Sequence, residues 1–140
     1  MNARFAMIAA VVALGGFAAA WSVAGRAQPS PPQLAMLDQL QSGDWELRSR
    51  DEGGQPRHIC MHDARRLIQL RHPGEICSRI VVEDEPEQVT VQYTCPGRGY
   101  GRTQIRRETE ALLQIDSQGI AQGRPFSFAI EARRVGPCAS

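Results

Sequence analysis

Arg102-Thr-Gln-Ile-Arg-Arg-Glu-Thr-Glu-Ala-Leu-Leu-Gln-Ile-Asp116 is the stretch on which the fold turns. Ile105, Arg107, Thr109, Ala111, Leu113 and Ile115 recur at every second position, with no Gly or Pro between them. A period of two marks a half-buried strand. The run therefore predicts one long strand over roughly 102–116, bulged near Thr109. The same period extends to either side. Upstream, Trp45 and Leu47 alternate with Glu46 and Arg48, and Ile59 and Met61 mark a second strand. Ile80 and Val82 mark a third, and Val89, Val91 and Tyr93 a fourth. Downstream, Phe126, Phe128, Ile130 and Ala132 line the last. Leu34, Leu37 and Leu40 fall at helical spacing behind Ser30-Pro-Pro-Gln33, and Ala64, Leu67 and Ile68 form a brief second helix stopped by Pro73-Gly74. The expectation is a mainly β domain: a single antiparallel meander of about six strands, a curved sheet or partly closed barrel, with two short helices.

The chain has 140 residues, enough for one domain. All 16 bases are Arg, against 15 acids, for a net charge of +1. A near-neutral chain has no broad field with which to collect phosphates, so nucleic acid is not an expected partner. Phe5 to Gly25 runs 21 residues without a charge, behind Arg4 and ahead of Gly25-x-Ala27. That order reads as a signal peptide over 1–27, or as an uncleaved inner-membrane anchor, which would be the chain's one link to a membrane. The proline-rich 28–33 is a linker. Residues 34–140 form the exported β-rich domain, periplasmic or secreted.

Four Cys in an exported chain of this size predict two disulfides. With 102–116 as one strand, all four sulfurs gather at one rim of the sheet; splitting it sends Cys138 to the other. Side-chain parity places Cys95 and Cys138 on the core side, and Cys60 and Cys77 away from it. Parity favours Cys60–Cys77 with Cys95–Cys138. The alternative, Cys77–Cys95 with Cys60–Cys138, requires a bulge.

Gly43-x-Trp45-Glu46, Ile59-Cys60 before the short helix, the Cys77 to Cys95 hairpin, and Glu131-Ala-Arg-Arg134 before Gly136-x-Cys138 resemble the "domain of unknown function 3617" family of small exported proteobacterial proteins. The resemblance implies an exported β-rich domain. It implies no activity, cofactor or catalytic residue.

His58-x-Cys60-x-His62 is the sharpest local pattern: residues two apart on a strand share a face, so two imidazoles could flank Cu²⁺ or Zn²⁺, with His72 as third ligand. The simpler reading is two exposed histidines beside a structural disulfide, with no cofactor. Gly97-Arg-Gly-Tyr-Gly-Arg102 could cradle an anion or stack on a base, or it could simply supply the positive φ angles of a strand connection. Asp84, Glu85 and Glu87 read as solvated charge in a turn, and Glu108 and Glu110 beside Arg106 and Arg107 as cross-strand charge pairs on a solvent face. No G-x-S-x-G elbow is present. Trp45 opening the meander, with Arg133 or Arg134 covering it through a cation–π contact, is analogous to small-ligand barrels of the calycin kind. The leading expectation is a non-enzymatic envelope domain with a structural or protein-interaction role; the second is a binder of a small ligand or metal.

Overall fold

A computed structural model describes residues 33–51 and 53–139. The signal peptide or anchor expected over 1–27, and the linker up to residue 32, lie outside the described residues. Seven antiparallel strands form one open sheet: β1 Gly43–Ser49, β2 Arg57–Met61, β3 Ser78–Asp84, β4 Gln88–Cys95, β5 Gly99–Thr109, β6 Leu112–Ala121 and β7 Arg124–Gly136. A short helix, α1 (Ala35–Asp38), precedes β1, and a 3-10 helix, Ala64–Gln69, carries the chain from β2 to β3. The spatial order is β2-β1-β7-β6-β5-β4-β3, so the first strand pairs with the last, and β2 and β3 are the two edges.

The mainly β, disulfide-stapled antiparallel class is as the sequence predicts. The single strand over 102–116 is not: it is a hairpin turning at Glu110-Ala111. The parity of its residues concealed the turn. A two-residue turn alone would shift the inward phase by one, but Glu108 is an extra residue between Arg107 and Thr109, and this bulge restores the phase. Ile105 therefore faces inward opposite Ile115, both fully buried, and the alternation reads through the turn unbroken.

Strand β3 is also out of phase with expectation. Ile80 and Val82 are 67% and 48% exposed, while Val81 lies opposite fully buried Val91 and packs on the core. Cys77 shares the phase of Val81 and so faces inward with Cys95.

These changes re-pair the cysteines. The bonds are Cys77–Cys95 and Cys60–Cys138, not the Cys60–Cys77 and Cys95–Cys138 that parity favoured. Splitting 102–116 does send Cys138 to the other end of the sheet, but Cys60 is there too, because β2 pairs with β1 and β1 with β7. The chain between Cys60 and Cys77 crosses the sheet from one end to the other through the 3-10 helix. On β7, Trp45 is opposite Arg134 and Asp44 opposite Gly136, so Val135 is extra. This bulge flips the phase of the last residues toward the outward-facing Cys60, whose register partner is Asp44. Each end of the sheet thus carries one disulfide.

The core lies between the inner sheet face and the two helices. Trp45, Leu67, Ile68, Val91, Ile105 and Leu113 are wholly inaccessible. Burying Leu67 and Ile68 contributes about 1.5–3 kcal/mol each, which docks a helix too short to persist alone. Asp63 caps that helix by accepting from Arg65 N at 2.8 Å, and Thr103 Oγ1 donates to Ile68 O at 2.6 Å. Leu34, in the left-handed region at φ 62°, is held by its N–H donating to Asp84 Oδ2 at 2.9 Å. One carboxylate of the acidic turn is therefore structural.

Candidate functional site

The three histidines do not meet. His58 lies on the outer face of β2, and His62 just past its end. His58 Nδ1 is 3.0 Å from Asp44 Oδ2, and His62 Nε2 is 3.2 Å from Cys60 Sγ. Cys60, His62 and Cys138 cluster closely enough to hold a metal, but the two sulfurs are joined in a disulfide and offer no thiolate. His72 is on the opposite face, buried, between Tyr93 Oη at 3.1 Å and Arg98 O at 3.2 Å. The carbonyl can only accept, so Nε2 carries the proton and Nδ1 accepts from the phenol. Burial pushes the Tyr93 phenol up to about 12.

That buried pair explains two of the three glycines in 97–102. Gly101 is the register partner of Tyr93, and a Cβ there would lie 2.5 Å from the phenolic oxygen. At Gly99, φ 128°, a Cβ would lie 2.0 Å from Ile120 O and 3.1 Å from His72 Nε2. The glycines admit the Tyr93 ring and the close approach of β6. The loop's two arginines diverge: Arg98 pairs with Glu75 at 3.5 Å, and Arg102 is exposed on the outer face of β5.

Trp45 anchors the core, its ring N–H donating to Gln41 O at 3.1 Å. Arg134, its neighbour on β7, donates from Nε to Ser42 O at 2.9 Å, and exposed Arg133 bridges Glu131 at 3.3 Å. Neither stacks on the indole. Among the described residues the cation–π pair is Arg71 over Phe126, at 5.9 Å from the ring centroid. Arg106 pairs with Glu108 at 2.6 Å along its own strand rather than across strands, and Arg107 reaches Glu87 at 2.8 Å.

Two surfaces escaped the reading of the sequence. One lies along edge strand β3, where Ile80 and Val82, the extra residue of a bulge between Val81 and Glu83, are exposed, with Ile76, 94% exposed, just before the strand. The other is a cleft of about 460 Å³ beside the 3-10 helix, between the two edge strands. Its arginines arrive from three elements: Arg57 from β2, Arg65 and Arg66 from the helix, Arg79 from β3. Ile59 and Leu70 supply apolar lining. Arg65 is neutralised by Asp38 and lies 3.8 Å from Asp63. Glu75 is engaged by Arg98. Among the described residues Arg66 donates to Cys60 O alone, at 3.0 Å, and Arg79 donates to Gln69 Oε1 at 2.7 Å. Gln69 is itself buried, its amide donating to His72 O and Glu75 O at 3.1 and 2.8 Å, so the acceptor aimed at Arg79 is fixed from below.

Two disulfides and no free cysteine fit a location outside the cytoplasm, and no helix among the described residues is long and apolar enough to cross a membrane. Set against family models, curated proteins and solved structures, the chain finds no match.

Proposed function

We propose that the chain is an exported, non-enzymatic interaction domain of the cell envelope, periplasmic or secreted, that takes an extended segment of a partner protein along the free edge of β3. The resemblance noted in the sequence favours the same compartment. The observation that carries the reading is Ile80 and Val82, exposed on β3, whose outer edge has no strand partner among the described residues, with exposed Ile76 just before the strand. Unpaired N–H and C=O groups on an edge are a template for strand addition, and the exposed apolar side chains beside it supply contact area. The opposite edge, β2, presents Arg57 and His58 instead and is fastened to the end of β7 by Cys60–Cys138. The buried polar groups serve packing: His72 with Tyr93, and Thr103 Oγ1 with Ser117 Oγ at 2.7 Å.

The test places a photo-crosslinking residue singly at Arg79, Ile80, Val81, Val82 and, as control, exposed Arg106 of the full chain in cells that make it. Strand addition predicts one discrete adduct from positions 80 and 82, absent at 79, 81 and 106, and lost when Ile76 is changed to Asp. Equal labelling at all five positions, or none at 80 and 82, refutes the proposal.

A further inference from the structure

The cleft between the edge strands is a separate surface; none of Ile76, Ile80 and Val82 lines it. We propose that it binds a phosphate monoester borne on a short apolar group. Charge is the first argument. Arg57, Leu70, Pro73 and Glu75 also border a second cleft with Arg71, Arg98 and Arg124, so seven of the chain's 16 arginines line two clefts that share a wall. The acids lining it are Asp63 and Glu75, and both have partners. A chain of net charge +1 has concentrated its positive field here, in a recess whose walls focus it.

Geometry is the second argument. Arg57, Arg66 and Arg79 make no ion pair among the described residues, although all three line the same recess. A guanidinium offers a planar fork of donors, and three forks from different elements suit the several acceptor oxygens of a tetrahedral dianion better than one flat carboxylate. Arg79 is held by buried Gln69, so part of the cost of ordering a long side chain is met before a ligand arrives. The third argument is the lining. Ile59, which packs on the core, with Leu70 and Pro73, provides apolar surface beside the charged groups, and about 460 Å³ suits a small molecule. The phosphate could belong to a soluble monoester or a lipid headgroup; the chemistry at the arginines is the same.

The test uses the oxidised full chain, with calorimetry and thermal unfolding against octyl phosphate, inorganic phosphate, octyltrimethylammonium and vesicles with and without phosphatidic acid. Octyl phosphate is expected to bind saturably and raise the melting temperature, inorganic phosphate to bind at least tenfold more weakly, the cation not at all, and added salt to weaken binding. Saturable binding to phosphatidic acid vesicles alone would support the headgroup source. Arg57→Gln and Arg79→Gln should each weaken binding about tenfold, with Arg57→Lys intermediate and Arg106→Gln unchanged. Arg57 makes no side-chain hydrogen bond or ion pair among the described residues, so it keeps the test decisive if Arg79→Gln unfolds the chain. The proposal falls if no phosphate form saturates, if Arg57→Gln binds as the parent does, or if the cation binds equally.

Discussion

Removing the two disulfides separately should have unequal consequences. Cys60–Cys138 joins residues 78 apart, and Cys77–Cys95 joins residues 18 apart inside that loop. In the chain-entropy model the outer bond contributes about 4 kcal/mol and the inner about 3 kcal/mol. A domain of this size holds about 5–15 kcal/mol in total, so either loss is large and the outer one approaches unfolding. The outer bond also acts locally, because β2 has only β1 beside it, and five residues of pairing are all that hold it in the sheet. Cys60→Ser with Cys138→Ser, and Cys77→Ser with Cys95→Ser, are compared as double variants so that no lone thiol can reshuffle. With a urea slope of about 1–2 kcal/mol per molar, the outer deletion should lower the midpoint by about 2–4 M, and the inner by about 1.5–3 M. Hydrogen exchange should show β2 amides losing protection in the first variant while β5 and β6 keep theirs. If the inner deletion costs more, or the outer costs below about 1 kcal/mol, the topology with β1 between β2 and β7 is wrong.

Gly101→Ala should cost about 1–3 kcal/mol by driving a Cβ into the Tyr93 ring, a difference that urea titration resolves from the milder Gly97→Asn, whose site at φ 72° has open space around it. The acid limb of stability should begin near pH 4. Asp38, Glu46 and Glu87 are held below the usual carboxylate range by hydrogen bonds from Arg65, Arg48 and Arg107, and Glu83 by Thr90 and Gln88. Depressed values mean the stabilisation is complete above the unfolded pKa and disappears as pH falls through the folded one. The alkaline limb has the opposite sign. Tyr93, at about 12 when folded against 10.0 unfolded, favours folding below pH 10, and that contribution is lost as pH rises toward 12. Tyrosinate absorbance should show one late-titrating phenol, absent in Tyr93→Phe. Zn²⁺ at millimolar concentration should leave the melting temperature unchanged, because Cys60 and Cys138 are bonded and His58 is held by Asp44; a rise abolished by His58→Ala with His62→Ala would show otherwise.

Strand content was legible because inward residues of β1, β4 and β7 keep a clean period of two, and burial of Trp45, Val91 and Ala132 follows that phase. Two of the errors share one source. Alternation shows that a residue points to one face of a strand, and is silent about an extra residue that resets the phase. The bulge at Glu108 hid a hairpin, and the bulge at Val135 reversed the side on which Cys138 emerges. Edge strand β3 misled in a different way: with one face uncovered, its two most apolar positions can face solvent while Val81 alone meets the core. Pairing of β1 with β7 was not legible either, since it joins residues some 90 positions apart. The candidate cleft was invisible for the same reason. Arg57, Arg66 and Arg79 sit in unremarkable polar stretches, and only the crossing of the 3-10 helix between the edges brings them together. The histidine pattern, conspicuous as a string, dissolved because His72 faces the opposite side of the sheet from His58 and His62.

The central claim is an oxidised sheet fastened at both ends, and peptide mapping without reduction tests it most directly. Trypsin isolates each cysteine in its own peptide: His58–Arg65, His72–Arg79, Ile80–Arg98 and Val135–Ser140. Protein recovered without reduction from cultures of cells that make it should yield the first joined to the fourth and the second to the third. Four free thiols, or the first peptide joined to the second, would contradict the account.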